Sequence, residues 1–222
     1  MDWTALALSL RLGALTVLIL LPIGVFLGSA LAWSKIPGRG FIEAMLTLPL
    51  VLPPTVLGYY FLVAFGMASP LGQAFHAVFG HSLVFSFTGL LVASVIVNLP
   101  FAVQPMQRAF EAIPDEVRHA GACCGMKPWR ALLRVDLPLA WPGIVTGLVL
   151  TFAHTLGEFG VVLMVGGSIP AETRTIAIAI YDRVQAFDNS GAGVMAALLL
   201  ALSLAALGVT YMLSARVGRR HG

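Results

Sequence analysis

The chain has 222 residues, of which 59% are apolar and only 10% charged, and its mean hydropathy is +0.92; soluble domains carry roughly 25% charged residues. Thirteen Lys/Arg and ten Asp/Glu cannot coat a 23.5 kDa globule with polar surface, so an ordinary water-soluble domain is excluded and lipid is the expected solvent. The net charge of +3 is dispersed among apolar runs instead of forming a basic stripe, which argues against nucleic acid as a partner.

A bilayer crossing needs about 20 predominantly apolar residues. Five stretches qualify: Leu12–Trp33, Ala44–Phe65, a third within Ser82–Gln104, Trp141–Val165 and a fifth within Gly193–Ala215. The first is too long for a signal-peptide core, and its leader Met1–Arg11 holds Asp2 and a single arginine, so it is expected to stay attached. The second contains Pro49, Pro53 and Pro54. Internal prolines free carbonyls that lipid cannot satisfy, so this break should face protein or a water-lined path. A packing kink and a pathway element both fit it. Gly66–His81 and Ser168–Asn189 are punctuated like loops, and the second has room for a short surface helix with Ile176, Ile180 and Val184 at helical spacing.

In the fourth stretch His154 and Glu158 lie four residues apart, on one helical face. An ionisable side chain at such depth costs roughly 2.5–3.5 kcal/mol and should face protein or water. The pair could be a proton relay or gate, or Glu158 could hydrogen-bond a neighbouring helix and fix its position. The fifth stretch places Gly193, Ala197, Ala201 and Ala205 four apart, a small-residue ridge suited to close helix packing within the chain or between subunits.

Short loops rich in Lys/Arg stay cytoplasmic. Lys35 and Arg39, then Arg108, Arg118, Lys127, Arg130 and Arg134, then Arg216, Arg219 and Arg220 fall on one side. Only Arg11, Arg174 and Arg183 fall on the other. An outside N-terminus and a cytoplasmic C-terminus are therefore expected, and 105–137 becomes the largest cytoplasmic feature. Within it Pro114 suits a first helical position, Asp115 and Glu116 suit the positive helix end, and Gly125 suits a C-terminal turn. A second helix is predicted from Pro128, with Trp129, Leu132 and Leu133 on one side and Leu137-Pro138 closing it. This helix–glycine–helix elbow is either a tether or a docking element.

Catalytic groups are sparse. Cys123 and Cys124 are the only cysteines and are adjacent, which fits neither a disulfide framework nor a zinc site; they are expected to be small packing residues. His76 and His81, five apart, do not share a helical face, so no metal site is expected. The two lysines, preceded by Met126 and Ser34, lack the Gly-Lys pair of a phosphate loop. Nucleotide hydrolysis by this chain is not expected, and no cofactor is implied.

The elbow resembles the motif of bacterial ATP-binding-cassette importer permeases: Glu-Ala-Ala, three residues, Gly, nine residues, Ile, one residue, Leu-Pro. Gly125 falls at its glycine, Val135 at its isoleucine and Leu137-Pro138 at its Leu-Pro, while His119-Ala120-Gly121 replaces Glu-Ala-Ala. The stretch Leu48-Pro49-Leu50-Val51-Leu52-Pro53-Pro54-Thr55-Val56-Leu57-Gly58-Tyr59-Tyr60 resembles span two of the molybdate branch. Leu156-Gly157-Glu158-Phe159-Gly160 and Ile169-Pro170-Ala171-Glu172-Thr173-Arg174-Thr175-Ile176 resemble later parts of that branch. The likeness covers about residues 10–215.

The resemblance implies an all-α integral membrane protein of the bacterial inner membrane. It would form one domain over 1–222, with about five spans and a cytoplasmic coupling helix. Its partners would be an ATP-binding subunit, a periplasmic or extracellular oxyanion-binding protein and a second permease copy. ATPase contact would involve Ala120, Gly121, Gly125, Lys127 and Trp129. Pro53, Pro54, Thr55 and Glu158 are candidate pathway or gate residues, although a carboxylate on an oxyanion route would repel its cargo. The implied function is molybdate import by alternating access, with sulfate or tungstate as alternative cargo. A proton-coupled secondary carrier is a further alternative, but such carriers often show paired repeats that five spans do not offer.

Overall fold

The computed structural model describes residues 1–33 and 37–218. Lys35, Arg219 and Arg220, counted above for orientation, lie outside the described residues. The described chain is helical, with no strand. Its elements are α1 (Trp3–Trp33), α2 (Arg39–Val51), α3 (Pro54–Phe65), α4 (Pro70–Phe79), α5 (Phe87–Glu111), α6 (Asp115–Cys123) and α7 (Pro128–Ala131). A one-turn π-helix, Leu132–Asp136, leads into α8 (Leu137–Gly157), followed by α9 (Gly160–Gly166), α10 (Ile176–Gln185) and α11 (Asn189–Gly218).

Four helical segments are long and apolar enough to cross a membrane, and a fifth crossing is reached when the bent pair α2–α3 is counted as one span. Four to five spans agree with the expected number of about five, but the boundaries differ. The first span begins at Trp3 instead of Leu12. Two devices carry the helix past its charges: Asp2 accepts from the Ala5 N–H at 2.9 Å, and the Arg11 guanidinium sits 4.4 Å over the Phe87 ring. The third span runs Phe87–Glu111, shifted towards the elbow from Ser82–Gln104. Ser86 caps its start by accepting from the Gly89 N–H at 3.2 Å. The fifth span starts at Asn189, four residues before Gly193.

The second span breaks where its prolines predict. Leu52 is extended, and α2 and α3 diverge by 106°. The fourth is also broken, which the apolar run Trp141–Val165 does not reveal. Helix α8 ends at Gly157, Glu158 adopts ψ 126°, and α9 restarts at Gly160. The two broken spans meet, since α3 packs on α9; a Cβ on Gly160 would lie 2.8 Å from the Pro54 side chain.

Helix α5 lies between α1 and α8 and forms the centre of the bundle. Leu20, Ala102, Met106, Phe110, Ala140 and Ile144 pack there. Close approach depends on Gly143, where a Cβ would overlap Ala109 and lie 2.8 Å from the Pro105 carbonyl oxygen.

Both expected loops contain helices. Gly66–His81 holds α4, capped by the Ser69 hydroxyl accepting from Gly72 N–H at 2.9 Å. Ser168–Asn189 holds α10, which is no surface helix: Ile176, Ile178 and Ala179 are buried and only Val184 of the expected stripe is exposed. Its first N–H, at Ile176, donates to Ser9 Oγ of α1 at 2.8 Å, fixing α10 to α1. The ridge Gly193, Ala197, Ala201 and Ala205 is exposed throughout and is not used for packing inside the chain.

Candidate coupling surface and membrane-embedded polar site

The elbow forms between the end of α5 at Glu111 and the π-helical turn, shorter than the predicted 105–137. Helix α6 carries Asp115 and Glu116 in its first turn. Its last turn closes when Cys124 N–H donates to the Ala120 carbonyl at 3.0 Å and Met126 N–H to the Gly121 carbonyl at 3.2 Å. Gly125 makes this possible by adopting φ +72°, a left-handed conformation that costs other residues roughly 1–2 kcal/mol. Pro128 then opens α7, where a missing N–H costs nothing.

Leu137-Pro138 does not end this second helix. Proline is tolerated in the first turn of α8, and the wider π-helical turn joins α7 to α8, so Pro128–Gly157 is one 30-residue helical rod. The elbow is therefore attached directly to the helix that ends at Glu158.

Trp33 anchors the elbow to the bundle. Its ring meets Phe110 edge-on at 5.3 Å and carries the Arg118 guanidinium of α6 at 4.0 Å. A cavity of ≈220 Å³ lies between α6 and the rod, bordered by Trp33, Arg118, Gly121, Met126, Val135 and Asp136. Asp136 is 3% exposed and its Oδ1 has no hydrogen-bond partner among the described residues.

Of the five proposed contact residues, Ala120, Gly125, Lys127 and Trp129 face outward, Trp129 being 57% exposed. Gly121 is turned inward towards Met126. Exposed tryptophans are enriched among the anchors of protein-binding surfaces. Cys123 and Cys124 are exposed free thiols; contrary to expectation they do not fill the core, because the last turn of α6 projects from the bundle.

The second polar site lies at the break between α8 and α9. Glu158 is buried, and its Oε1 accepts from the Val161 N–H at 3.0 Å. The new helix begins with N–H groups that have no intrahelical acceptor, and the Glu158 side chain satisfies one of them. His154 Nε2 lies 3.8 Å from Glu158 Oε2, and its ring stacks on Phe101 at 4.1 Å between centroids. Asn98 donates its amide to the Ser94 carbonyl at 2.8 Å. Its oxygen therefore faces His154 Nδ1 at 3.1 Å, and that nitrogen acts as the donor. The sequence places His154 and Glu158 together correctly; Asn98 was missed, although an asparagine inside an apolar span signals a buried partner.

Pro53, Pro54 and Thr55 are exposed at the bend of the second span. Of the four candidate pathway residues, Glu158 alone belongs to the buried polar site. His81 Nδ1 is 3.1 Å from the neighbouring Ser82 carbonyl oxygen. Among the described residues no three His, Cys, Asp or Glu side chains converge in a metal-binding group.

Comparison with known proteins agrees with this architecture. Residues 21–219 match the family described as binding-protein-dependent transport system inner membrane component. The molybdenum transport system permease protein ModB of Azotobacter vinelandii is 44% identical over 210 residues, covering 95% of this chain and 93% of that protein. ModB of Escherichia coli K12 is 36% identical, with 98% and 95% covered. The sulfate transport system permease protein CysT of the same organism is 33% identical, with 89% and 72% covered. Among solved structures, a bacterial alginate ABC transporter in complex with a periplasmic protein superposes with a TM-score of 0.75 at 16% identity, covering 96% of this chain and 78% of that one, a likeness of fold. With the match extending over nearly the whole chain, the protein belongs to the family of inner-membrane components of binding-protein-dependent transport systems.

Proposed function

We propose that this chain is the membrane-spanning subunit of an ATP-driven oxyanion importer whose cargo is molybdate. The observation that carries the reading is the glycine-turned elbow with exposed Trp129, fused through one helical rod to the membrane-embedded break at Glu158. It occurs in a chain 44% identical to a molybdenum transport permease. The distribution of Lys and Arg supports a cytoplasmic elbow and an external N-terminus.

In this reading two copies enclose the path, since five spans are few for surrounding a tetrahedral anion. A separate ATP-binding subunit grips Ala120, Gly125, Lys127 and Trp129, while Gly121 shapes the inner wall of the elbow. ATP binding closes the ATPase pair, moves the elbows and opens the path outward; hydrolysis resets it. An external binding protein delivers the anion and sets most of the selectivity. The chain itself hydrolyses no nucleotide, because neither lysine stands in a phosphate loop. Pro53, Pro54 and Thr55 would reach the path only across the two-fold interface.

The test is reconstitution in liposomes with and without the cognate ATPase and binding protein. Molybdate uptake should require both partners and ATP. Uptake driven by a proton gradient without the ATPase would establish a secondary carrier instead. The likeness to the sulfate permease gives sulfate as the second reading. It is decided by which of molybdate, tungstate and sulfate protects the binding protein against unfolding.

A further inference from the structure

Helix α6 is held by groups that belong to two different parts of the bundle. It packs on α7, the first turn of the helical rod Pro128–Gly157. Its half-buried Arg118 reaches back to α1, where the guanidinium lies 4.0 Å from the centroid of the Trp33 ring. Between them lies the cavity of ≈220 Å³, bordered by Trp33, Arg118 and Asp136 among others. It has room for several waters, at about 30 Å³ each, or for one planar guanidinium group.

Asp136 closes the π-helical turn at the foot of α8. It is buried, and its Oδ1 accepts no hydrogen bond among the described residues. A carboxyl group in such a place is costly in either protonation state. Charged, it lacks a counterion; neutral, it still leaves an oxygen unpaired. The group that would satisfy it borders the same cavity. Arg118 carries a fork of N–H donors that matches a carboxylate, yet it rests on an aromatic face and leaves the carboxyl group unanswered.

The two anchors open to Arg118 stand on different elements, Trp33 on α1 and Asp136 on the rod. Moving the guanidinium from one to the other transfers the hold on α6 from the body of the bundle to the helix that ends at the Glu158 break. Two packed arrangements separated by one side-chain exchange make a bistable element, which is what coupling between distant sites requires. The π-helical turn beneath Asp136 is of a kind frequent at functional sites.

We propose that Asp136 is the positioning residue of the coupling elbow: when a docked ATPase displaces α6, Arg118 leaves Trp33 and pairs with Asp136, so that the displacement passes into the rod instead of being absorbed at the elbow. The proposal rests on the importer reading.

Its test uses the full complex with ATPase and binding protein in liposomes. The ratio of ATP hydrolysed to molybdate taken up is measured beside the unfolding midpoint of the chain in detergent. Asp136→Asn keeps the side-chain shape and removes the charge. It should raise the ratio about fivefold or more while ATP hydrolysis continues, and its midpoint should not fall, because Oδ1 has no partner to lose in the resting fold. Arg118→Gln should raise the ratio similarly, and the double variant should be no worse than either single one, as for two residues acting as one pair. Arg118→Lys, which keeps a cation, should fall between Arg118→Gln and the unsubstituted chain. An unchanged ratio in Asp136→Asn would overturn the proposal, as would a parallel loss of hydrolysis and uptake or a clearly lowered midpoint. Effects that multiply in the double variant would give Asp136 another partner, water or a side chain of the ATPase, and overturn the Arg118 exchange. Absence of ATP-dependent uptake by the unsubstituted complex would instead overturn the importer reading.

Discussion

Glu158 Oε1 accepts the backbone N–H of Val161 at 3.0 Å, so the buried carboxylate of the fourth span caps the helix that restarts three residues later. The interaction gives the buried side chain a partner at the break, because the restarting helix leaves N–H groups without an intrahelical acceptor. A side chain engaged in this way is suited to positioning α9. Glu158→Gln keeps an acceptor oxygen and should retain substantial transport. Glu158→Ala should cost about 0.5–2 kcal/mol as a lost cap, read as a lower unfolding midpoint in detergent. A complete, pH-insensitive loss of transport in a normally assembled Glu158→Gln variant would give the carboxylate a pathway role.

Gly125 holds φ +72° at the corner of the elbow. Proline fixes φ near −65° and cannot make this turn, so Gly125→Pro should uncouple ATP hydrolysis from uptake while membrane insertion stays normal. Normal uptake in that variant would refute the coupling role. Gly125→Ala, which meets no neighbour within 4 Å, should show a milder defect from backbone strain alone.

Trp129 is 57% exposed. Trp129→Ala should leave the unfolding midpoint of the isolated chain nearly unchanged but weaken its association with the ATPase by about 2 kcal/mol or more, as loss of an interface anchor does. Co-purification and titration of the ATPase onto the detergent-solubilised chain would measure this. Unchanged affinity would exclude Trp129 from the docking surface.

Ser9 Oγ is the acceptor for the buried Ile176 N–H at 2.8 Å. Removing it leaves an unsatisfied donor, so Ser9→Ala should destabilise by about 1–3 kcal/mol, whereas Ser9→Thr can retain the bond. Thermal unfolding in detergent separates the two. Equal midpoints would show that α10 is held by its apolar face alone.

Asp188 precedes α11 and accepts from the Gly191 N–H at 2.9 Å, from the Ser190 hydroxyl at 3.0 Å and from Arg183. These contacts, led by the Gly191 N–H, hold its carboxyl below the usual carboxylate range. A depressed folded-state pKa stabilises the fold at pH values above the unfolded value, and the gain disappears as pH falls through the folded value. The stability difference between the unsubstituted chain and Asp188→Asn should therefore hold steady near neutrality and shrink on acidification below the normal carboxylate range. A difference independent of pH down to strong acid would remove the charge from the explanation.

The sequence by itself determined that the chain lives in lipid, that it crosses about five times and that its turning point lies at Gly125. These properties are local: apolar run length, proline and glycine placement, and the distribution of thirteen basic residues. The break at Leu52-Pro53 was legible because proline removes a backbone donor wherever it stands. The break at Glu158 was not, because no residue there forbids a helix; the interruption becomes visible in the Glu158–Val161 bond and in the packing of α9 on α3. Tertiary structure alone decided that Leu137-Pro138 continues a helix, that Gly121 turns inward and Trp129 outward, and that Asn98 meets His154. It also brought Thr47 on α2 to Gln104 on α5, 57 residues apart. Each of these depends on which helical faces meet, and in a chain apolar on nearly every face, hydrophobic periodicity carries little information about that choice.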